Sequence, residues 1–194
     1  MRLGDDDADL MIRYRDGDTE AFARLYARHK AALYRYLLRQ VRNAGIASDL
    51  FQDVWSRLIA TRARYEPRAK FATFLFHIAH NCAMDFFRRS AHAEPASEHD
   101  LSVAEAPEHL RPDRVAEFTE RQSALMAALA ALPREQRETF VLYEESGLSV
   151  EEIARITDVP AETAKSRLRY AVRKLKSSLE AAEEPALNLR VRTI

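Results

Sequence analysis

The chain has 194 residues, with 30 Lys and Arg balanced by 30 Asp and Glu, so it has room for one ordinary domain or two small ones and carries no net charge. Its single cysteine excludes an internal disulfide and points to a reducing compartment, while four glycines and 47% apolar residues without long β-branched runs favour an all-helical fold. The acidic start MRLGDDDADL is unlike a secretory signal, and no apolar run is long enough to cross a bilayer, so a cytoplasmic address without membrane insertion is expected.

Neutrality conceals segregation. Residues 10–89 hold fifteen Lys and Arg against seven Asp and Glu, whereas residues 90–124 hold three against eight. A basic block suited to phosphates is therefore followed by an acidic stretch that is not.

In chain order, Phe22, Leu25, Tyr26, Leu33, Leu37 and Val41 recur at three- and four-residue steps and predict a long amphipathic helix ending near Asn43 to Gly45. Ser48 is the expected cap of a second helix, with Leu50, Val54 and Leu58 inward and Asp49, Gln52 and Asp53 on another face. A basic loop, Tyr65-Glu66-Pro67-Arg68-Ala69-Lys70, leads to a third helix over about Phe71 to Arg89. Phe74, Ile78 and Phe86 have the spacing of core residues. Too many aromatics are present for all to point inward, and those beside Arg68, Lys70, Arg88 and Arg89 suit a stacking surface for unpaired bases.

From Ser90 to Arg114 the sequence contains Pro95, Pro107 and Pro112, many small residues and no sustained helical period, the composition of a flexible linker. The boundaries expected are a helical domain over 9–89, an acidic linker over 90–116, a second helical domain over 117–180 and a tail over 181–194. Each domain is expected to fold on its own. The tail from Glu183 alternates apolar and polar residues and is expected to be disordered, the alternative being a strand or helix added to a partner.

The segment 149–176, SVEEIARITDVPAETAKSRLRYAVRKLK, reads as a helix, a tight turn and a second helix. Ser149 and Glu152 form a capping box, Ile153, Ile156, Val159 and Leu168 face inward, and Asp158-Val159-Pro160 separates the helices. Lys165, Arg167, Arg169, Arg173, Lys174 and Lys176 face one acid, Glu162. A short helix bracing a basic one is the geometry that presses side chains into the DNA major groove.

Other chemistry finds little support. His77, His80 and Cys82 do not fall on one helix face, so no metal is expected. There is no Gly-rich phosphate loop and no nucleophile with a base and an orienting group, so neither a catalytic centre nor a cofactor is expected.

Three stretches together carry a resemblance: DLFQDVW (Asp49 to Trp55), FATFLFHIAHNCAMDFFRR (Phe71 to Arg89), and the run from Leu132 to Leu175. In order and spacing they are similar to the bacterial sigma-seventy superfamily, in the compact layout of the extracytoplasmic-function (ECF) group. That resemblance implies two helical domains, sigma2 and sigma4, joined by a linker, in a factor that binds core RNA polymerase and directs promoter-specific initiation. It implies that Asp49, Leu50, Gln52, Asp53 and Trp55 dock on polymerase. It assigns Tyr65, Arg68, Lys70, Phe71, Thr73, His77, His80, Asn81, Arg88 and Arg89 to the melted minus-ten element, with Asn81 against a flipped-out base. It assigns Thr163, Lys165, Ser166, Arg167, Arg169, Tyr170 and Arg173 to the minus-thirty-five duplex. An anti-sigma partner is implied as well.

The chain departs from relatives in two places. Histidines 77 and 80 stand where many have arginines, which predicts DNA engagement that strengthens at mildly acidic pH. Tyr170 replaces a basic residue found in some relatives. The rival reading is a regulator that binds operators through the helix-turn-helix without polymerase, its first half serving as a sensing or dimerising domain.

Overall fold

The computed structural model describes residues 6–92 and 120–191, and these form eight α-helices. Five follow the sequence pattern closely and three add to it. Before the first predicted helix lies α1, Asp7–Arg15, whose Leu10 and Met11 are fully buried. The long helix α2 spans Thr19–Val41. It starts where the Asp18 carboxylate accepts from the N–H groups of Glu20 and Ala21 at 3.0 and 3.2 Å, and it ends at Arg42 in a left-handed conformation, φ 57°.

The second predicted helix, α3, spans Ala44–Thr61, so Ser48 is not its cap. Asn43 fills that role: its Oδ1 accepts from the Ile46 N–H at 3.0 Å, placing Gly45 inside the first turn. A 3-10 turn, Arg62–Arg64, and the basic loop then lead into α4, Phe71–His92. Ser90 to His92, expected in the linker, therefore extend this helix, and the rest of the linker lies outside the described residues.

Helix α4 packs on α2 and α3 and also on α7 (Val150–Ile156) of the second half, so it buries more than one face. For that reason Phe71 and Phe76 are its deepest aromatics, at 2% and 0% exposed, while Phe74 and Phe86 are only half-buried; Ile78 is buried as expected. Phe76 meets Tyr36 edge-on, with ring centroids 5.4 Å apart. Among the described aromatics of this helix none is fully exposed, so an open stacking surface is not present in this conformation.

The second half contains α5 (Glu120–Ala130), α6 (Arg134–Ser146), α7 (Val150–Ile156) and α8 (Ala161–Val191). Helix α8 carries the chain through residues expected to be disordered. It runs on to Val191 and includes Pro185, a residue that removes one backbone donor from the helix. A small apolar cluster of Ala128, Leu129, Leu132, Ala171 and Leu175 joins α5 to α8. Val141, Leu142, Leu148, Ile153 and Ile156, however, belong to the same apolar cluster as Leu25, Tyr36, Leu37 and Phe76 of the first half. The two halves thus share a core in this conformation, where two separate cores were expected.

Candidate polymerase and nucleic-acid interfaces

On α3, Asp49, Gln52 and Asp53 are exposed and sit together at one- to four-residue steps on the outer face. Leu50 and Trp55 are not available beside them. They are 4% and 5% exposed, and the Trp55 ring packs 5.0 Å from Tyr26 and 5.7 Å from Phe22. Buried in this way, they anchor the helix that carries the three exposed polar residues.

The loop and α4 divide the minus-ten set into three groups. Tyr65 and Phe71 are buried and shape the loop from below, Tyr65 lying edge-on to Phe74 with centroids 5.2 Å apart. Burial also pushes the Tyr65 hydroxyl pKa up, with the charges of Asp6 and Asp7 adding to the effect. His77, Asn81 and Arg88 follow at four- and seven-residue steps and form an exposed stripe along α4, with Arg68 and Arg89 exposed nearby. Arg68 pairs with Glu66 at 2.5 Å and Arg88 with Asp85 at 2.9 Å, surface contacts that water screens readily. A cleft beside this stripe is lined by Tyr65, Arg68, Phe74, His77 and, from α7, Arg155 and Ile156.

The third group is Lys70, Thr73 and His80, and the second half of the chain occupies it. Thr73 is 7% exposed and its hydroxyl donates to Glu152 at 3.2 Å; Lys70 Nζ donates to the other oxygen of the same carboxylate, also at 3.2 Å. His80 Nδ1 lies 2.7 Å from Glu138. Of the two histidines, only His77 remains on the exposed stripe.

In the helix-turn-helix the capping box forms as the sequence predicts. Ser149 Oγ accepts from the Glu152 N–H at 3.2 Å, and Glu152 accepts from the Ser149 N–H at 2.8 Å. Burial alone would raise the Glu152 pKa, but the hydrogen bonds from Ser149 and Lys70 prevail and hold it below its ordinary value. Helix α7 ends at Thr157, and Asp158, at φ 51°, turns the chain so that α8 starts after Pro160. Ala164, Ala171 and Leu175 face inward, and Leu168 and Val159 are half-buried.

Lys165, Arg169, Tyr170, Arg173, Lys174 and Lys176 are exposed, while Thr163, Ser166 and Arg167 are half-buried. The Ser166 hydroxyl donates to the Thr163 carbonyl at 2.9 Å and so turns toward its own helix. Arg169 and Arg173 lie 5.3 and 4.9 Å from the Tyr170 ring centroid. Tyr170 therefore acts as a platform for two guanidinium groups. Cys82 is buried, and burial raises its thiol pKa. Among the described residues no group of three metal-ligating side chains comes together.

Residues 25–93 match the model of Sigma-70 region 2, and residues 122–175 match that of Sigma-70, region 4. The chain is 35% identical over 170 residues to RNA polymerase sigma factor CarQ of Myxococcus xanthus, covering 87% of this chain and 95% of that one. It belongs to the sigma-70 family, in the ECF group. Another relative is the ECF RNA polymerase sigma-E factor of Escherichia coli K12, 28% identical over 82% of this chain and 86% of that one. In fold the chain is similar to CnrH, solved in complex with the cytosolic domain of CnrY, with TM-score 0.66 at 22% identity over 90% and 97% of the two chains. It is also similar to the sigma factor RpoE of Bartonella quintana, solved with the anti-sigma factor NepR, with TM-score 0.67 at 23% identity over 83% and 98%. As an ECF sigma factor the chain binds core RNA polymerase and promoter DNA and directs promoter-specific initiation. Sigma factors are non-enzymatic initiation factors. Among the described residues no helix is long and apolar enough to cross a membrane.

The sequence did not single out Arg155, Glu138 or Glu145. Glu138 and Glu145, seven residues apart on α6, were legible as one acidic helix face, but nothing local says what that face meets.

Proposed function

We propose that the two halves divide the work of this sigma factor by residue, with sigma2 over 9–89, the linker over 90–116 and sigma4 over 117–180. Asp49, Gln52 and Asp53 dock on basic helices of core polymerase, held in place by the buried Leu50 and Trp55. The stripe of His77, Asn81 and Arg88, with Arg68 and Arg89, captures the melted minus-ten strand. Asn81 both donates to and accepts from a base edge, and the half-buried Phe74 supplies an aromatic wall. Lys165, Arg169, Tyr170 and Arg173 meet the minus-thirty-five duplex.

The observation that carries this reading is that the exposed polar residues of α4 and of α8 form two separate stripes, one on each family-matched half. Each stripe alone is a weak reader, and mounting both on polymerase makes them bivalent. The acidic linker follows the polymerase's basic RNA channel, no catalytic step belongs to this chain, and its place is the cytoplasm beside polymerase. RpoE of Bartonella quintana, similar in fold, was solved with the anti-sigma factor NepR, which supports an anti-sigma partner for this chain too.

Promoter-directed transcription with purified core polymerase tests the reading. D49A/D53A is expected to lower core affinity about tenfold or more, and R88A/R89A to preserve core binding while reducing open-complex formation. Equal activity of all variants, or operator binding by the free chain as a dimer without any effect on polymerase, would refute it.

A further inference from the structure

The polar stripe along α4 contains a carboxylate. Asp85 follows Asn81 by four residues and precedes Arg88 by three, so it stands between the amide that meets a base and the guanidinium that holds the strand. It is the one acidic residue among the 22 residues of α4. A negative charge on a helix that meets a polyanion weakens binding, so Asp85 contributes something other than affinity.

Its partners show what that is. Asp85 is half-buried where α3 and α4 pack together, and its two oxygens serve different helices. Oδ1 accepts from Arg88 Nη2 at 2.9 Å, and Oδ2 accepts from Arg57 Nη1 of α3 at 3.2 Å. The Arg89 Nε donates to the Asp85 carbonyl at 3.3 Å. Three guanidinium groups from two helices are thus arranged around one acidic residue.

Two effects of that residue on a bound strand differ in reach. The carboxylate repels any phosphate brought to Arg88. A unit charge about 6 Å away in water changes affinity roughly threefold at low ionic strength, whatever the base sequence. Against that, the pair at 2.9 Å holds the Arg88 fork at the end of the stripe, and an exposed pair at i,i+3 is worth roughly twofold. This second effect counts only for a strand whose bases also meet Asn81 and the aromatic wall, because only such a strand has to fit Arg88 in a fixed register. A matched strand feels both effects, which nearly cancel. An unmatched strand feels the repulsion alone.

We propose that Asp85 is a selectivity residue of the minus-ten surface. It discourages indiscriminate phosphate contact with Arg57, Arg88 and Arg89, and it keeps Arg88 positioned for the matched strand. This rests on the assignment of α4 to the minus-ten strand.

The test uses holoenzyme reconstituted with the parent chain, D85N, D85E and, as a reference, R88A. Each is titrated at low salt, by fluorescence anisotropy, against the single-stranded minus-ten segment of a promoter that the parent holoenzyme transcribes and against a scrambled strand of equal length and composition. Core polymerase alone gives the background. D85N is expected to bind the scrambled strand about threefold more tightly and the minus-ten strand within about 1.5-fold of the parent, so that the ratio falls about twofold. Added salt should erase the gain, and D85E, which restores the charge, should restore the ratio. If Asp85 did no more than tie α3 to α4, D85N would weaken both strands; if its charge acted without selectivity, both would gain equally. Either result overturns the proposal, as does unchanged affinity for both. A parent holoenzyme without preference for the minus-ten strand, or R88A that binds this strand as the parent does, refutes the assignment of α4 itself, and the proposal falls with it.

Discussion

Removing one oxygen from the interior should reveal whether the two domains are joined in solution as they are here. Tyr36 is fully buried, and its hydroxyl donates at 2.7 Å to Glu138, itself 4% exposed. Burial, with the Glu138 charge added, holds that hydroxyl well above its ordinary pKa, so it remains a donor at every working pH. Tyr36→Phe preserves the ring and its edge contact with Phe76 and opens no cavity of consequence, but it leaves the carboxylate with His80 as its remaining partner. A hydrogen bond to a charged group contributes about 1.5–3 kcal/mol. For a chain of this size about 2 kcal/mol lowers Tm by roughly 4–8 °C. Calorimetry of the parent, Y36F, E138Q and the double variant gives the coupling between the two side chains, expected at about 1–2 kcal/mol. A shift below about 1 °C in Y36F, or additive losses in the double variant, would show that Glu138 does not reach Tyr36 in solution.

Three further outcomes follow from the same structure. D49A/D53A should change stability by less than about 0.5 kcal/mol, because both side chains are exposed, and chemical denaturation distinguishes this from any loss of polymerase affinity. Ser149→Ala removes the acceptor for the Glu152 N–H and should cost about 1 kcal/mol in urea unfolding, while S149T, which keeps the oxygen, should recover most of it. Glu152 has a folded pKa below its ordinary value of 4.5, so its contribution is fully present above that value and is lost as pH falls through the folded one. E152Q should therefore weaken the protein at pH 7 and converge with the parent in acid, and urea midpoints measured from pH 7 to pH 3 will show whether the two curves meet.

Much of the fold was written locally. The periodic apolar residues of α2, the capping box at Ser149 and the break at Asp158 to Pro160 each depend on neighbours within a few residues, and each stands where the pattern places it. The start of α3 was misread because Ser48 and Asn43 are both good caps, and only the backbone shows which one has extended dihedrals. Likewise the spacing of Phe74, Ile78 and Phe86 marks one inward face of α4. Its second buried face depends on α7, distant in sequence, so period alone could not say that Phe71 and Phe76 lie deeper than Phe74.

The candidate sites divide along the same line. Residue type and order pointed to a basic aromatic helix and a DNA-reading helix, because charge, amides and aromatics are chosen locally for what they can touch, whereas a polymerase-docking helix was implied only by the family resemblance. Which of those side chains are free to touch anything was decided by tertiary structure. Leu50, Trp55, Tyr65 and Phe71 went into the core, and Thr73 and His80 went under sigma4. The physical reason is that a carboxylate such as Glu138 or Glu152 looks alike in sequence whether it faces water or a buried hydroxyl. Only the long-range packing of α6 and α7 on α2 and α4 makes that choice.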